Sequence, residues 1–296
     1  MTLERQEELA LSTTDFIDVL HENVRRMDLV LLSTVPVLLL LVHALPEPVR
    51  RGLAFRFRAP TLVTAYTSHF VHLSLEHLLV NLVGYILLAG VCYVLAVLAD
   101  RRQLFGMAIT TYLLAFPLVL SALNLAIPRD AIGYGFSGVN MALLGLLPLL
   151  LAEYTEQNLN PAVGVRHAPS LFFSGLVLVS LVALPLTLLS VGLAIAAGFV
   201  VLLYASSLRT SHRESPTAAS ESVLTGSSSG WADQFFIGLI VFLGYLFIGF
   251  PLSATVDGAV LNTYAHLLGF CLAFIVHYLV LELGLLDATE TADVQR

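Results

Sequence analysis

The sequence predicts an all-α fold, a polytopic transmembrane helical bundle of about eight helices, and three observations carry that prediction. Of its 296 residues, 57% are hydrophobic and only 12% are charged, with a mean hydropathy of +0.87. Apolar runs of about 20 residues, the length needed to cross a hydrocarbon core, recur along the chain. The polar residues between them are confined to short connections, one Ser/Thr-rich linker and two tails.

Residues 1–28 are polar and acidic up to Arg25 and Arg26, and Ser12, Asp15 and the apolar Phe16, Ile17, Val19 and Leu20 predict a short capped amphipathic helix. No apolar run follows a basic one there, so no cleaved signal peptide is expected. A membrane domain is expected over 29–286. Its first span is Leu29 to Leu45, with Pro36 as a tolerated kink. Pro46 to Pro60, where Arg50, Arg51, Arg56 and Arg58 alternate with Leu53, Phe55 and Phe57, reads as interfacial. The second span runs from Ser74 to Ala99 and is preceded by His69 and His72. The third runs from Leu104 to Leu125. The fourth starts at Ser137 and stops near Ala152, and at about sixteen residues, roughly 24 Å against a core of about 30 Å, it is expected to start below the outer surface, which places Ser137 at depth.

Leu171 to Tyr204 is too long for one span, so Pro185 and Gly192 predict a hairpin between the fifth and sixth. Ser206 to Gly230 has the composition of a disordered linker. The seventh span is Phe235 to Phe250, a loop covers Pro251 to Asn262, and the eighth extends roughly from Ala259 to Leu285. Residues 287–296 form an acidic tail. Eight spans put both termini on one side. With that side cytoplasmic, nine of the 14 arginines fall inside, which favours a multi-pass cell-membrane protein with cytoplasmic N- and C-termini.

Composition also narrows function. The basic residues are all arginine, and the net charge of −7 leaves no basic stripe for nucleic acid. An acidic, lysine-free composition fits a salt-adapted prokaryotic protein. Cys92 and Cys271 both lie inside apolar runs, so neither a disulfide framework nor a zinc ribbon is expected, and no metal or cofactor is called for.

Chemistry concentrates in polar residues within spans, where an unpaired side chain is costly. Ser137 lies between glycines, in Gly133-Tyr134-Gly135-Phe136-Ser137-Gly138, where a loop becomes an apolar helix. By itself the small-residue spacing through Gly138, Ala142 and Gly145 would make Ser137 a packing residue. His77 and Asn81, at i and i+4, share a face of the second span. His266 in the eighth span is the natural base for a buried serine hydroxyl, which is a poor nucleophile without a proton acceptor. Counted from Ala259, His266 is about 10 Å down its helix. The fourth and eighth spans run in the same direction, so serine and histidine start from the same face.

These three stretches together resemble the rhomboid family of intramembrane serine proteases. Gly135-Phe136-Ser137-Gly138, followed by Ala142, Leu143 and Gly145, is similar to the family's nucleophile motif. Ala265-His266 with Gly269 resembles its histidine motif, and the run from His72 to Asn81 its second-helix signature. The resemblance covers most of residues 29–286 and implies a rhomboid-like core with Ser137 as nucleophile and His266 as general base. It implies that His77, Asn81 and the Ser137 N–H stabilise the oxyanion, and that His72 braces the loop into the second span. Met141 stands where many members have an aromatic residue packed on the histidine, so the base is expected to be held less firmly. Ala273 replaces a usual glycine, a small loosening, and the Trp-Arg signature of the first loop is missing. Three spans separate serine from histidine where the family normally has one. Of the two candidates for a lateral gate, the fifth and the seventh, the seventh is favoured because it leads into the loop before the histidine.

The expected function is therefore that of a serine endopeptidase cleaving transmembrane or membrane-proximal segments of other membrane proteins. The competing reading is a catalytically inactive rhomboid-like protein that binds membrane-protein clients. A soluble hydrolase elbow is excluded, because Val139 stands where it needs glycine. A transporter would want paired halves, and no internal symmetry is visible.

Overall fold

The structure, a computed structural model, describes residues 18–285 apart from 128, 183, 185–186, 215–228, 252–254, 257–258 and 261. Residues 18–23 are helical; the capping Ser12 and Asp15 expected for that segment lie outside the described residues. The first span is α1, Arg26–His43, and the interfacial stretch folds as α2, Glu47–Leu53, and β1, Phe55–Arg56. Next come α3, Leu62–Thr67, a single 3-10 turn Ser68–Phe70, and the long α4, Leu75–Leu98. The Ser74 hydroxyl starts α4 by accepting the His77 N–H at 3.2 Å.

The third span is a broken one. Helices α5, Arg102–Leu114, and α6, Phe116–Asn124, meet at a bend of 50°. Pro117 supplies the cause, since its nitrogen cannot donate and its ring crowds the preceding turn. After α6 the chain forms β2, Ile132–Gly133, which pairs antiparallel with β1 through Phe55↔Gly133 and Arg56↔Ile132. This ribbon ties the first loop to the segment that delivers Ser137.

Helix α7, Ser137–Asn158, is the axis of the bundle, buried over almost its whole length. Its 22 residues exceed the expected short span, so the inference that Ser137 lies deep because its helix is short does not hold. The polar end continues as helix because Glu153, 2% exposed, is paired with Arg101 at 2.6 Å, and Asn158 donates to the Leu98 carbonyl. The fifth and sixth spans are α8, Ala168–Val182, and α9, Leu188–Glu214. Thr187 and Ser190 bond each other's N–H groups at the start of α9, and Gly192 lies inside that helix instead of in the turn. Pro185 is outside the described residues. Helix α9 continues ten residues past Tyr204, so the expected linker is helical up to Glu214.

The last spans are α10, Ser229–Gly249, and α11, Thr263–Glu282, with a two-residue ribbon, β3 Thr255–Val256 and β4 Ala259–Val260, between them. The eighth span thus begins four residues later than expected, because Ala259 and Val260 pair as a strand. Among the described residues, seven helices are long and apolar enough to cross a membrane, and α5 with α6 makes an eighth if the bent pair is one span. The protein is an all-α, multi-pass helical bundle.

Helix α11 packs along α7 so closely that it needs glycines. A side chain at Gly269 would strike the Gly138 carbonyl, and one at Gly145 would strike the Phe270 backbone and come within 3.2 Å of the Ala273 methyl. The alanine at 273 therefore costs no approach, since Gly145 opposite leaves room for its methyl.

Candidate active site

Ser137 is the first residue of α7. The Phe136 carbonyl accepts the N–H groups of Val139 and Asn140, at 3.0 and 3.1 Å, leaving those of Ser137 and Gly138 without an intrahelical acceptor at the positive end of the helix. Ser137 is half-buried and lines a cavity of about 40 Å³ with Ser68, His69, Tyr134, Gly135 and Asn262 among its walls. That is room for a water molecule among polar groups.

His266 lies in the first turn of α11, which Asn262 caps by accepting the Ala265 N–H at 3.2 Å. It is nearer the helix start than the expected 10 Å, since the helix begins at Thr263. The Ala265 carbonyl lies 3.8 Å from where a side chain at Gly138 would begin. The first turns of α7 and α11 are thus side by side, and the two motifs, 129 positions apart in sequence, meet at one end of the bundle.

The His266 ring is 3% exposed, with Nδ1 2.6 Å from the Gly249 carbonyl and Nε2 buried without a hydrogen-bond partner. A carbonyl can only accept, so Nδ1 carries the proton and Nε2 keeps its lone pair. That is the tautomer a general base requires. No hydrogen bond joins Nε2 to Ser137 in this structure; catalytic bonds of this kind are often open before substrate arrives.

Met141 does not leave the ring loose. It packs against Gly249, whose carbonyl holds Nδ1, and Phe250, 1% exposed, meets the imidazole edge-on at 6.2 Å and 83°. The aromatic contact absent from α7 comes from the end of α10.

On the other side of Ser137, His77 lies under the glycine loop. Gly135 has φ +112°, and a side chain there would come within 2.6 Å of His77 Cε1, so glycine is required on both counts. The His77 ring is flanked by Tyr134 at 5.6 Å and His72 at 4.9 Å. Asn81 faces differently. Its Nδ2 donates to the His77 carbonyl at 2.9 Å, and its own carbonyl accepts from Asn140 Nδ2 at 2.9 Å. One of its two N–H bonds is therefore committed to its own helix, and the residue belongs to an amide contact between α4 and α7.

His72 is fully buried, and Nε2 accepts the Phe136 N–H at 3.4 Å, one residue before the serine. Burial, reinforced by the neighbouring His77, pushes its pKa down to about 3, which keeps the ring neutral and able to accept. The His72 carbonyl in turn accepts from Arg50. His72 thus braces the loop carrying the nucleophile as well as the turn into α4.

Three participants and one neighbouring pair were missed or misjudged in the sequence. Asn140, wholly buried within the nucleophile motif, is an amide in an apolar helix, a readable signal. Arg50 looked interfacial. The buried pair of His69 and Ser121, bonded at 3.0 Å, comes from two helices with no motif to join them. Gly249 acts through its backbone and leaves no signal at all. Among the described residues no cluster of three or more His, Cys, Asp or Glu side chains gathers to hold a metal ion.

Compared with known proteins, this chain finds no match: no family model, no curated protein and no solved structure matches it.

Proposed function

We propose that this protein is an intramembrane serine endopeptidase of the rhomboid type, cleaving transmembrane or membrane-proximal segments of other membrane proteins, with both termini in the cytoplasm. The observation that carries the reading is His266: Nδ1 tied to the Gly249 carbonyl, Nε2 bare and buried, in the helix turn packed beside that of Ser137. A buried imidazole nitrogen with no partner costs free energy that a hydroxyl brought to it on substrate binding would recover.

In the proposed reaction Nε2 takes the Ser137 hydroxyl proton as Oγ attacks the scissile carbonyl. The free N–H of Ser137 and the positive end of α7 face the oxyanion, with His77 beside them. The proton then passes to the leaving amine, and a water hydrolyses the acyl-enzyme by the same base. The α7 and α11 N-termini bring these groups together without a carboxylate.

The open distance between Nε2 and the serine favours one other reading, a protein of this fold that binds membrane-protein clients without cutting them. Labelling with a fluorophosphonate separates the two. Labelling of the wild type that is lost in Ser137→Ala, together with cleavage of a single-span substrate in liposomes, is the expected result. Absence of both from folded wild-type protein leaves the client-binding reading.

A further inference from the structure

We propose that the C-terminal turn of α10 is the positioning element for His266, its Gly249 carbonyl doing for this histidine what a third, acidic side chain does in a triad. The inference rests on the reading of His266 as a general base and names what sets its tautomer, its orientation and its readiness to take a proton.

The last four carbonyls of a helix have no intrahelical N–H donor, so the Gly249 oxygen is open to accept from another group, and it lies 2.6 Å from His266 Nδ1. Accepting there forces the proton onto Nδ1 and the lone pair onto Nε2. The carbonyl end of a helix also carries partial negative charge, which favours the imidazolium formed when the base takes up the serine proton. Asp in a triad performs the same three tasks of orientation, tautomer selection and charge stabilisation. Among the described residues no glutamate or aspartate is bonded to His266, whose ring meets the Gly249 carbonyl and the Phe250 ring.

The seat of this carbonyl is built by shape. A Cβ at position 249 would meet Met141 Sδ at 2.5 Å, so a side chain there must displace either the Met141 thioether or the turn that carries the carbonyl. Four residues earlier, on the same face of α10, the Tyr245 hydroxyl fits against Gly84 of α4, where Asn140 Nδ2 also converges, 3.1 Å from the position a Cβ at 84 would take. The turn before the carbonyl is thus docked at a second point on α4 and α7. Along α10 buried, half-buried and exposed positions alternate, and only a minority of its residues are fully buried. If it is the helix that moves aside for substrate, the base loses its orienting carbonyl while the helix is displaced and regains it when the helix returns, so access and proton transfer are coupled through one backbone oxygen.

The test is made on the full chain in detergent micelles labelled with ¹⁵N-histidine, where the ring-nitrogen shifts report the tautomer of His266 without any need for activity. His266→Gln identifies the signal. Wild type is expected to show the Nδ1–H form. Gly249→Ala, whose new methyl drives Met141 and the carbonyl apart, is expected to shift His266 to exchanging tautomers and to lower kcat on the order of 100-fold with KM unchanged, the cost of a displacement near 1 Å. Gly249→Ala with Met141→Ala, which restores the room, is expected to recover both. If Gly249→Ala does not yield folded protein, Gly84→Ala, whose methyl strikes the Tyr245 hydroxyl, makes the same test, with Tyr245→Phe as its rescue. A wild-type ring in the Nε2–H form, or a tautomer unchanged in the folded variants, overturns the proposal. A tautomer that behaves as expected in a protein that cleaves nothing and takes no fluorophosphonate upholds the positioning of His266 and overturns the protease reading instead.

Discussion

Among the described residues, two serine–histidine pairs drawn from distant parts of the chain stand as opposites. In the pair of Ser121 and His69, the serine hydroxyl donates to the Ala65 carbonyl at 2.7 Å, so the His69 Nε2–H must donate to the serine oxygen, at 3.0 Å. Every proton is committed, and the hydroxyl points its hydrogen away from the imidazole. In the pair of Ser137 and His266, the Gly249 carbonyl binds Nδ1 of the histidine, and Nε2 is left bare. The same two residue types make a brace in one place and, in the proposed reaction, a base in the other. What separates them is which nitrogen the backbone has claimed, a detail that composition and motif do not carry.

The sharpest way to break this comparison is to remove each serine in turn. Ser137→Ala, like His266→Ala, is expected to reduce cleavage roughly a millionfold, to background, as loss of a nucleophile or its base does in soluble serine proteases. Ser121→Ala should leave turnover within a few-fold, measured on the same single-span substrate in liposomes. Comparable losses from the two serines would erase the distinction.

Gly135→Ala comes next. Its positive φ and the His77 ring at 2.6 Å give a new methyl no room, and displacement of the loop before Ser137 is expected to cost about 100-fold in kcat. The protein should remain folded, which size-exclusion in detergent would check.

His69→Ala tests the other side. Leaving Ser121 buried without its donor should destabilise the fold by about 1 to 3 kcal/mol in denaturant titrations, with fluorophosphonate labelling per folded molecule unchanged. The pH dependence sharpens it. Burial lowers the His69 pKa from the ordinary 6.5 to about 4, so the unfolded chain binds more protons between these values. The stability of the neutral buried ring is complete above pH 6.5 and is lost as pH falls toward 4, and His69→Ala should flatten that part of the profile.

The smallest effect is expected at Asn81. With one N–H on the His77 carbonyl and its own carbonyl on Asn140, Asn81→Ala should slow turnover about tenfold, the worth of one ordinary hydrogen bond. A loss of several hundredfold would be that of a true oxyanion donor and would return Asn81 to the role that its place beside His77 implies.

Much of this molecule was legible because a membrane imposes a coarse grammar. An apolar run of about 20 residues has few options but to span, so most of the spans were visible as runs, and the start of α4 at Ser74 with them, whereas the Asn262 cap of α11 was not. The bend at Pro117 and the helical continuation past Ala152 were less visible. Hydropathy sees neither a missing N–H nor a glutamate neutralised by an arginine 52 positions away.

The sequence by itself determined which residues can do chemistry and on which helices they ride: Ser137 at the start of one helix, His266 in another of the same direction, and glycines at 138, 145 and 269 that let those helices touch. Only the tertiary structure decided which nitrogen of His266 is bare, that Phe250 and Gly249 of α10 hold the ring while Met141 seats their turn, and that Asn81 turns toward Asn140. The reason is physical. Helix starts and close-packing glycines are local properties written in neighbouring side chains, whereas the tautomer of a buried histidine depends on a backbone oxygen that any residue would carry, placed there by the packing of a distant helix.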